Sequence, residues 1–166
     1  MTKIIFVCTG NICRSPMAQY YAQSVINKRA NSENYYIESA GINAYQGEGS
    51  TQNAIDAMKQ YGIDLSKHKA NTLENSLIEE ADYIIGMTEL HKNILMQIYP
   101  KLKNKIFTLR EVAGNDMYSK DIEDPWGYNL DVYVNIAKQI VENVDKFLEK
   151  IWGVYEKDIY RWRSCR

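Results

Sequence analysis

Short runs of β-branched and aromatic residues alternate with stretches of helical period along the chain, and this alternation admits few folds. Lys3–Val7 is the first run. It is apolar without interruption from Ile4 on, as a strand buried on both faces requires. From Pro16, the residues Met17, Tyr20, Tyr21, Val25 and Ile26 follow a helical period, with Ser15 and Pro16 suited to the N-cap and first helical position. Tyr35–Ser39 predicts a second strand that ends at Ala40-Gly41, and Gln52–Tyr61 predicts a helix stopped by Gly62. Leu73–Glu80 predicts a short helix, and Tyr83–Met87 a third strand. Leu90, Ile94, Leu95 and Ile98 mark a helix that Pro100 ends, and Lys105–Leu109 predicts a fourth strand. Val132, Ile136, Ile140, Val144, Phe147, Leu148 and Ile151 stripe a long final helix.

Strands alternating with helices imply right-handed crossovers and a parallel sheet covered by helices on both faces, an α/β class. The length of 166 residues suits a single domain, placed at residues 1–152, with a tail or helix extension over 153–166. Such a chain builds its core without disulfides, so its three cysteines point to a reducing compartment or to a thiol with a chemical task. Twenty Lys and Arg against twenty-one Asp and Glu show no bias toward polyanions, and no nucleic-acid partner is predicted. No apolar stretch approaches the ~18 residues that span a membrane, and the N-terminal run is too short for a signal segment. The expected location is the cytoplasm.

Ligands of parallel α/β sheets bind beyond the carboxyl ends of the strands. The first strand-to-helix turn lies at that edge. It reads Cys8-Thr9-Gly10-Asn11-Ile12-Cys13-Arg14-Ser15, a C-x5-R-S pattern. The pattern is weak alone, and a structural cysteine beside a surface arginine competes with any functional reading. Its position between a strand and a helix N-terminus strengthens it, because backbone N–H groups and the helix dipole favour an anion there. Inward N–H groups favour a thiolate at Cys8, which is a nucleophile without a separate base. Arg14 can hold two phosphoryl oxygens at once, which a lysine cannot copy. Ser15 can donate its hydroxyl to the Cys8 sulfur. Gly10 allows a tight backbone, and Asn11 can shape the loop or adopt a positive φ.

Phosphoryl transfer to a thiolate also needs an acid for the leaving oxygen. Asp124-Pro125-Trp126-Gly127 lies between the fourth strand and the last helix, so it should reach the same edge. A well-placed acid contributes typically ~10²–10⁴-fold. Trp126 can wall a pocket for an aromatic group. Asp116, Asp121 and Glu123 read as a solvated loop.

With these motifs in this order, the chain resembles the low-molecular-weight protein tyrosine phosphatases over about residues 3–150. The resemblance runs through IIFVCTGNICRSPMA (Ile4–Ala18), ESAG (Glu38–Gly41), GIDLSKHKA (Gly62–Ala70), ADYIIGMT (Ala81–Thr88) and DPWG (Asp124–Gly127). It implies a four-stranded parallel sheet with helices on both faces, phosphorylated protein substrates, and no metal or organic cofactor. It also implies that Cys8 forms a phosphocysteine and that Arg14 and the backbone from Thr9 through Arg14 bind phosphate. Asp124 would protonate the leaving group and then activate water. Asn11, Ser15 and His68 look like the family's loop-shaping network, while Tyr45 and Trp126 match aromatics that line its pocket.

Ile12 matches the family's tyrosine phosphatases and offers an apolar wall for a phenyl ring. A related branch of protein arginine phosphatases carries Thr there, yet it resembles this chain in MTELHKNI (Met87–Ile94) and IFTLREV (Ile106–Val112). Phosphotyrosine is the favoured substrate and phosphoarginine the alternative. Asp-Pro-Trp-Gly departs from the Asp-Pro-Tyr-Tyr of many members, leaving Tyr128 alone for regulation by phosphorylation. No cysteine lies between Cys13 and Cys165, which argues against the arsenate reductases that share the loop. A module that binds phosphate without turnover is the alternative from another class, although it needs neither Cys8 nor Asp124.

Two readings of Cys13 stay open: packing at the helix entry, or a reversible disulfide with Cys8 that shields it from deeper oxidation. His68 reads as a structural loop histidine and His91 as a surface residue. Tyr155, Tyr160, Trp162 and the arginines Arg161, Arg163 and Arg166 make an aromatic-basic tail, either a frayed helix end or a partner-docking segment.

Overall fold

A computed structural model describes the backbone of residues 1–163 and the side chains of residues 1–153. Cys165 and the aromatic-basic side chains of the tail lie outside the described residues. The ordered elements are β1 (Thr2–Cys8), α1 (Arg14–Ile26), β2 (Tyr35–Gly41), α2 (Gln52–Met58), β3 (Tyr83–Gly86), α3 (Glu89–Ile98), β4 (Ile106–Thr108), α4 (Leu109–Ala113) and α5 (Leu130–Arg163). Four strands form one sheet in the order β2-β1-β3-β4, every pair parallel. Among the described residues no helix is long and apolar enough to cross a membrane.

Side chains of a strand point alternately to opposite faces, so β1 splits its residues between two cores. Ile4 and Phe6 pack with Met17 and Ala18 of α1, Met58 of α2 and the Ile136, Ile140 and Phe147 stripe of α5. Ile5 and Val7 face the other way, against Leu73, Ile78 and Leu95 of α3. Burial on both faces explains why the first strand reads as an unbroken apolar run. It also places Cys8 at the carboxyl end of the central strand, with Gly41 as its partner in register.

The structure corrects several sequence expectations. Helix α1 starts at Arg14, and its N-cap is Cys13, which makes no side-chain capping bond. Ser15 is therefore inside the helix, and its hydroxyl bonds Asn11 of the preceding loop and faces Cys8 instead of capping. Gln52–Tyr61 divides into α2, capped by the Thr51 hydroxyl, and a 3-10 turn over Lys59–Tyr61 closed by left-handed Gly62. The expected helix at Leu73–Glu80 reduces to a 3-10 turn over Ile78–Glu80. Local side-chain bonds replace it: Ser76 Oγ donates to the Leu73 carbonyl, and the Glu38 carboxylate accepts from the Leu77 N–H. The fourth strand stops at Thr108, and α4 follows at once through a Thr108–Glu111 capping box and left-handed Gly114.

Candidate active site

The C-x5-R-S turn curls around the end of β1 and runs into α1. Asn11 is its tight point, with φ 56°, the sole positive φ of a non-glycine residue among the described residues. Gly10 needs no such freedom: a Cβ there would make ordinary contact with Ile12 at 3.5 Å. The glycine the loop requires is Gly41 on the neighbouring strand, where a Cβ would lie 2.6 Å from the Thr9 carbonyl oxygen and 3.0 Å from the Asn11 nitrogen.

Asn11 is fully buried and pins the loop with both polar atoms of its side chain and with its carbonyl. Its Nδ2 donates to Ser15 Oγ and Ser39 Oγ, both at 2.8 Å, and its Oδ1 accepts the Asn71 N–H at 2.8 Å. His68 Nε2 donates to the Asn11 carbonyl at 2.7 Å. That histidine is buried against the edge of Tyr20, and burial holds its pKa below the usual value. Further backbone bonds tie the loop to its neighbours: Ile42 N–H to the Cys8 carbonyl, Asn43 N–H to Thr9, and Thr51 N–H to Ile12. Among the described residues, the backbone N–H groups from Gly10 to Cys13 donate to no protein acceptor. They join the free N–H groups of the first turn of α1, the arrangement that suits an anion.

Cys8 is buried, with Sγ 2.9 Å from Ser15 Oγ. Because Ser15 Oγ accepts from Asn11, its own hydrogen is available to the sulfur. Arg14 is buried too, and its guanidinium is fixed by the Ile122 carbonyl at 3.0 Å and by Asp124 Oδ2 at 2.9 Å. Its Nε is buried with no hydrogen-bond partner. A buried, unpaired guanidinium N–H is costly unless an acceptor arrives, which makes this edge of Arg14 a ready donor to an oxyanion.

Asp124 is half exposed, in contrast to the buried arginine it pairs with. Its Oδ1 accepts the Trp126 N–H at 3.1 Å, and a turn from Pro125 to Tyr128 passes through left-handed Gly127. The segment before it is anchored, not a free solvated loop. Ile122 N–H donates to the Met87 carbonyl, and the Asp121 carboxylate accepts the Glu89 N–H at the start of α3.

Cys8, Thr9, Gly10, Ile12, Cys13, Arg14, Asp124 and Trp126 enclose a cavity of about 260 Å³. Asn11 and Ser15 lie behind it, fully buried. Larger cavities of about 380 and 480 Å³ meet at Tyr99 on another part of the surface, but neither is lined by a cysteine or an arginine. Tyr45 is not a pocket wall. It is 77% exposed at the tip of a turn closed by the Glu48 N–H and its own carbonyl, and it is absent from the cavity lining.

Cys13 is buried and faces Thr51 Oγ1 and the Tyr133 hydroxyl, each at 3.4 Å. Burial raises its pKa, and burial together with the Cys13 contact pushes Tyr133 up to about 12. Tyr133 thus bonds as well as packs. The residue that sequence reasoning misplaced is His91. It is 4% exposed, not on the surface, and its ring lies between Thr9 Oγ1 at 2.9 Å and Thr88 Oγ1 at 3.0 Å. Burial first, and then the charge of Arg14, push its pKa down to about 4. The available signal was Thr88, an N-cap type three residues before His91, which aims the side chain back toward the strand end.

The model of the family described as low molecular weight phosphotyrosine protein phosphatase matches residues 3–156. A protein-arginine-phosphatase of Bacillus subtilis is 35% identical over 93% of this chain and 97% of its own length. The low molecular weight protein-tyrosine-phosphatase PtpB of Staphylococcus epidermidis is 33% identical over 87% of this chain and 95% of its own. The crystal structure of a low molecular weight protein tyrosine phosphatase from T. tengcongensis superposes with a TM-score of 0.81 at 36% identity, covering 90% of this chain and 99% of that one. The sheet order, the strand-end loop and these likenesses agree, and the chain belongs to the low molecular weight phosphotyrosine protein phosphatase family and is a protein phosphatase of it.

Proposed function

We propose that the chain hydrolyses phosphotyrosine in cytoplasmic protein substrates through a phosphocysteine formed on Cys8. The observation that carries this reading is one small pocket holding a buried cysteine, a buried arginine with a spare donor, and a half-exposed carboxylate. The phosphoryl group sits in the N–H cradle from Thr9 to Arg14, its oxygens against the free edge of Arg14. Cys8 Sγ attacks phosphorus, the bond to the phenolic oxygen breaks, and the carboxyl of Asp124 gives that oxygen its proton. The resulting carboxylate then takes a proton from water as the water attacks phosphorus. The phosphorus–sulfur bond breaks, and Ser15 donates to the departing sulfur. Binding of phosphate competes with Asp124 for Arg14, which frees the carboxyl for proton transfer. Ile12 and Trp126 flank the aromatic ring, and Tyr45 is left for contacts beyond the phosphorylated residue.

A second substrate is favoured by one observation: relatives named for arginine phosphatase activity are as similar to this chain as those named for tyrosine phosphatase activity. The choice rests on Ile12, which presents an apolar wall where a hydroxyl would orient a guanidinium. The test compares kcat/KM on phosphotyrosine and phosphoarginine peptides for the wild type and Ile12→Thr. A wild type faster on phosphotyrosine, with the ratio falling in Ile12→Thr, supports the reading; faster hydrolysis of phosphoarginine overturns it. Equal release by Cys8→Ser would remove Cys8 as the nucleophile, and no release by the wild type would reduce the chain to a phosphate-binding module.

A further inference from the structure

His91 sits behind the pocket, outside the cavity lining, yet it touches the loop at Thr9. Its place is built by the backbone. Thr88 caps α3 by accepting the His91 N–H at 3.2 Å, and Gly86 leaves room for the close approach, since a Cβ there would lie 3.0 Å from His91 Cβ. Thr88 Oγ1 also lies 3.0 Å from His91 Nδ1, within reach of its hydroxyl hydrogen. In the tautomer in which Nδ1 accepts that hydrogen, Nε2 carries the ring proton and donates it to Thr9 Oγ1 at 2.9 Å. The Thr9 hydroxyl hydrogen is then left to point elsewhere, and Thr9 is exposed on the cavity wall.

We propose that His91 is held with its proton on Nε2, that the Thr9 hydroxyl is a phosphoryl-binding donor, and that His91 is the positioning residue that turns its hydrogen into the pocket. The proposal rests on the phosphatase reading and adds a side-chain donor to the backbone cradle. Thr88, His91 and Thr9 form a directional chain: each group accepts from the one before it, and the last free hydrogen meets the phosphate. The neutral imidazole suits this task, because an imidazolium would add a second cation beside Arg14. The charged groups that act on the ring are Arg14 from α1 and Asp121 and Asp124 from the acid loop.

The test uses Thr9→Val, His91→Leu, His91→Gln and the double variant Thr9→Val/His91→Leu. Affinity for inorganic phosphate is read by nuclear magnetic resonance titration, and kcat/KM is read on an aryl phosphate. Losing one hydrogen bond to a charged group should weaken phosphate binding roughly tenfold in Thr9→Val and in His91→Leu. The double variant should be no weaker than either single variant, because the hydroxyl acts only when oriented. His91→Gln, whose amide can still donate to Thr9, should stay within about twofold of wild type. The proposal is overturned if Thr9→Val binds phosphate like wild type, if the two losses multiply, or if His91→Gln loses as much as His91→Leu. Should His91→Leu fail to fold, Thr9→Val and His91→Gln decide alone. Phosphate binding needs no turnover, so failure of this relay and failure of the phosphatase reading are separate results.

Discussion

Replacing Asn11 by alanine removes the pin of the phosphate loop. Three side-chain hydrogen bonds disappear, to Ser15, Ser39 and the Asn71 N–H, each at 2.8 Å in a buried or half-buried setting. At about 1 kcal/mol net apiece they account for about 3 kcal/mol. Alanine also inherits φ 56°. The left-handed region costs an ordinary residue about 1–2 kcal/mol, while asparagine tolerates it. The expected loss is about 4–5 kcal/mol, a large share of the about 5–15 kcal/mol that holds a domain together. Asn11→Gly separates the two contributions, since it loses the same bonds but relieves the backbone. Glycine is ordinarily about 0.5–1 kcal/mol worse than alanine, and here it should be the more stable of the two. Urea unfolding followed by tryptophan fluorescence and circular dichroism measures both. A loss under about 1.5 kcal/mol in Asn11→Ala, or a glycine variant less stable than the alanine one, would refute this reasoning.

Three further outcomes follow from the same geometry. His91 has a folded pKa near 4 against an ordinary 6.5, so below pH 6.5 the unfolded chain takes up a proton that the native state refuses. Stability is therefore lost as pH falls from about 6.5 to about 4, by up to about 3 kcal/mol, and urea unfolding of His91→Leu over this range should show a shallower acid slope; an unchanged slope would contradict it. Gly41→Ala forces a Cβ toward the Thr9 carbonyl, so kcat/KM on an aryl phosphate should drop by about tenfold or more as the loop shifts. Cys13 shares the loop with Cys8, and we expect peroxide-inactivated wild type to recover on thiol treatment while Cys13→Ser does not; equal recovery would return Cys13 to packing against Thr51 and Tyr133.

The sheet was legible because β1 is buried on both faces and reads as one apolar run, and because strands and helices alternate in short steps. The loop was legible because its residue types have few other uses together at a strand end. What escaped was decided by contacts distant in sequence. Asn11 was legible as a loop-shaping residue, but its partners Ser39 and Asn71, contributed by β2 and the segment beyond α2, were not. His91 looks like a surface residue on an amphipathic helix, and only the Thr88 cap and the space above Gly86 turn it toward Thr9. Leu73–Glu80 has helical composition, yet Glu38 from β2 takes the N–H that a helix would have used. Helix α4 was missed because five residues carry too little periodicity, although Thr108-x-x-Glu111 already spelled its capping box.

The account stands on Cys8 as the nucleophile. Rapid mixing with excess aryl phosphate, acid quenching and peptide mapping by mass spectrometry tests it most directly. The account predicts phosphate on Cys8, formed as the first equivalent of phenol is released, and no phenol release by Cys8→Ser. Release of phenol with Cys8 never phosphorylated, or undiminished turnover in Cys8→Ser, would contradict it.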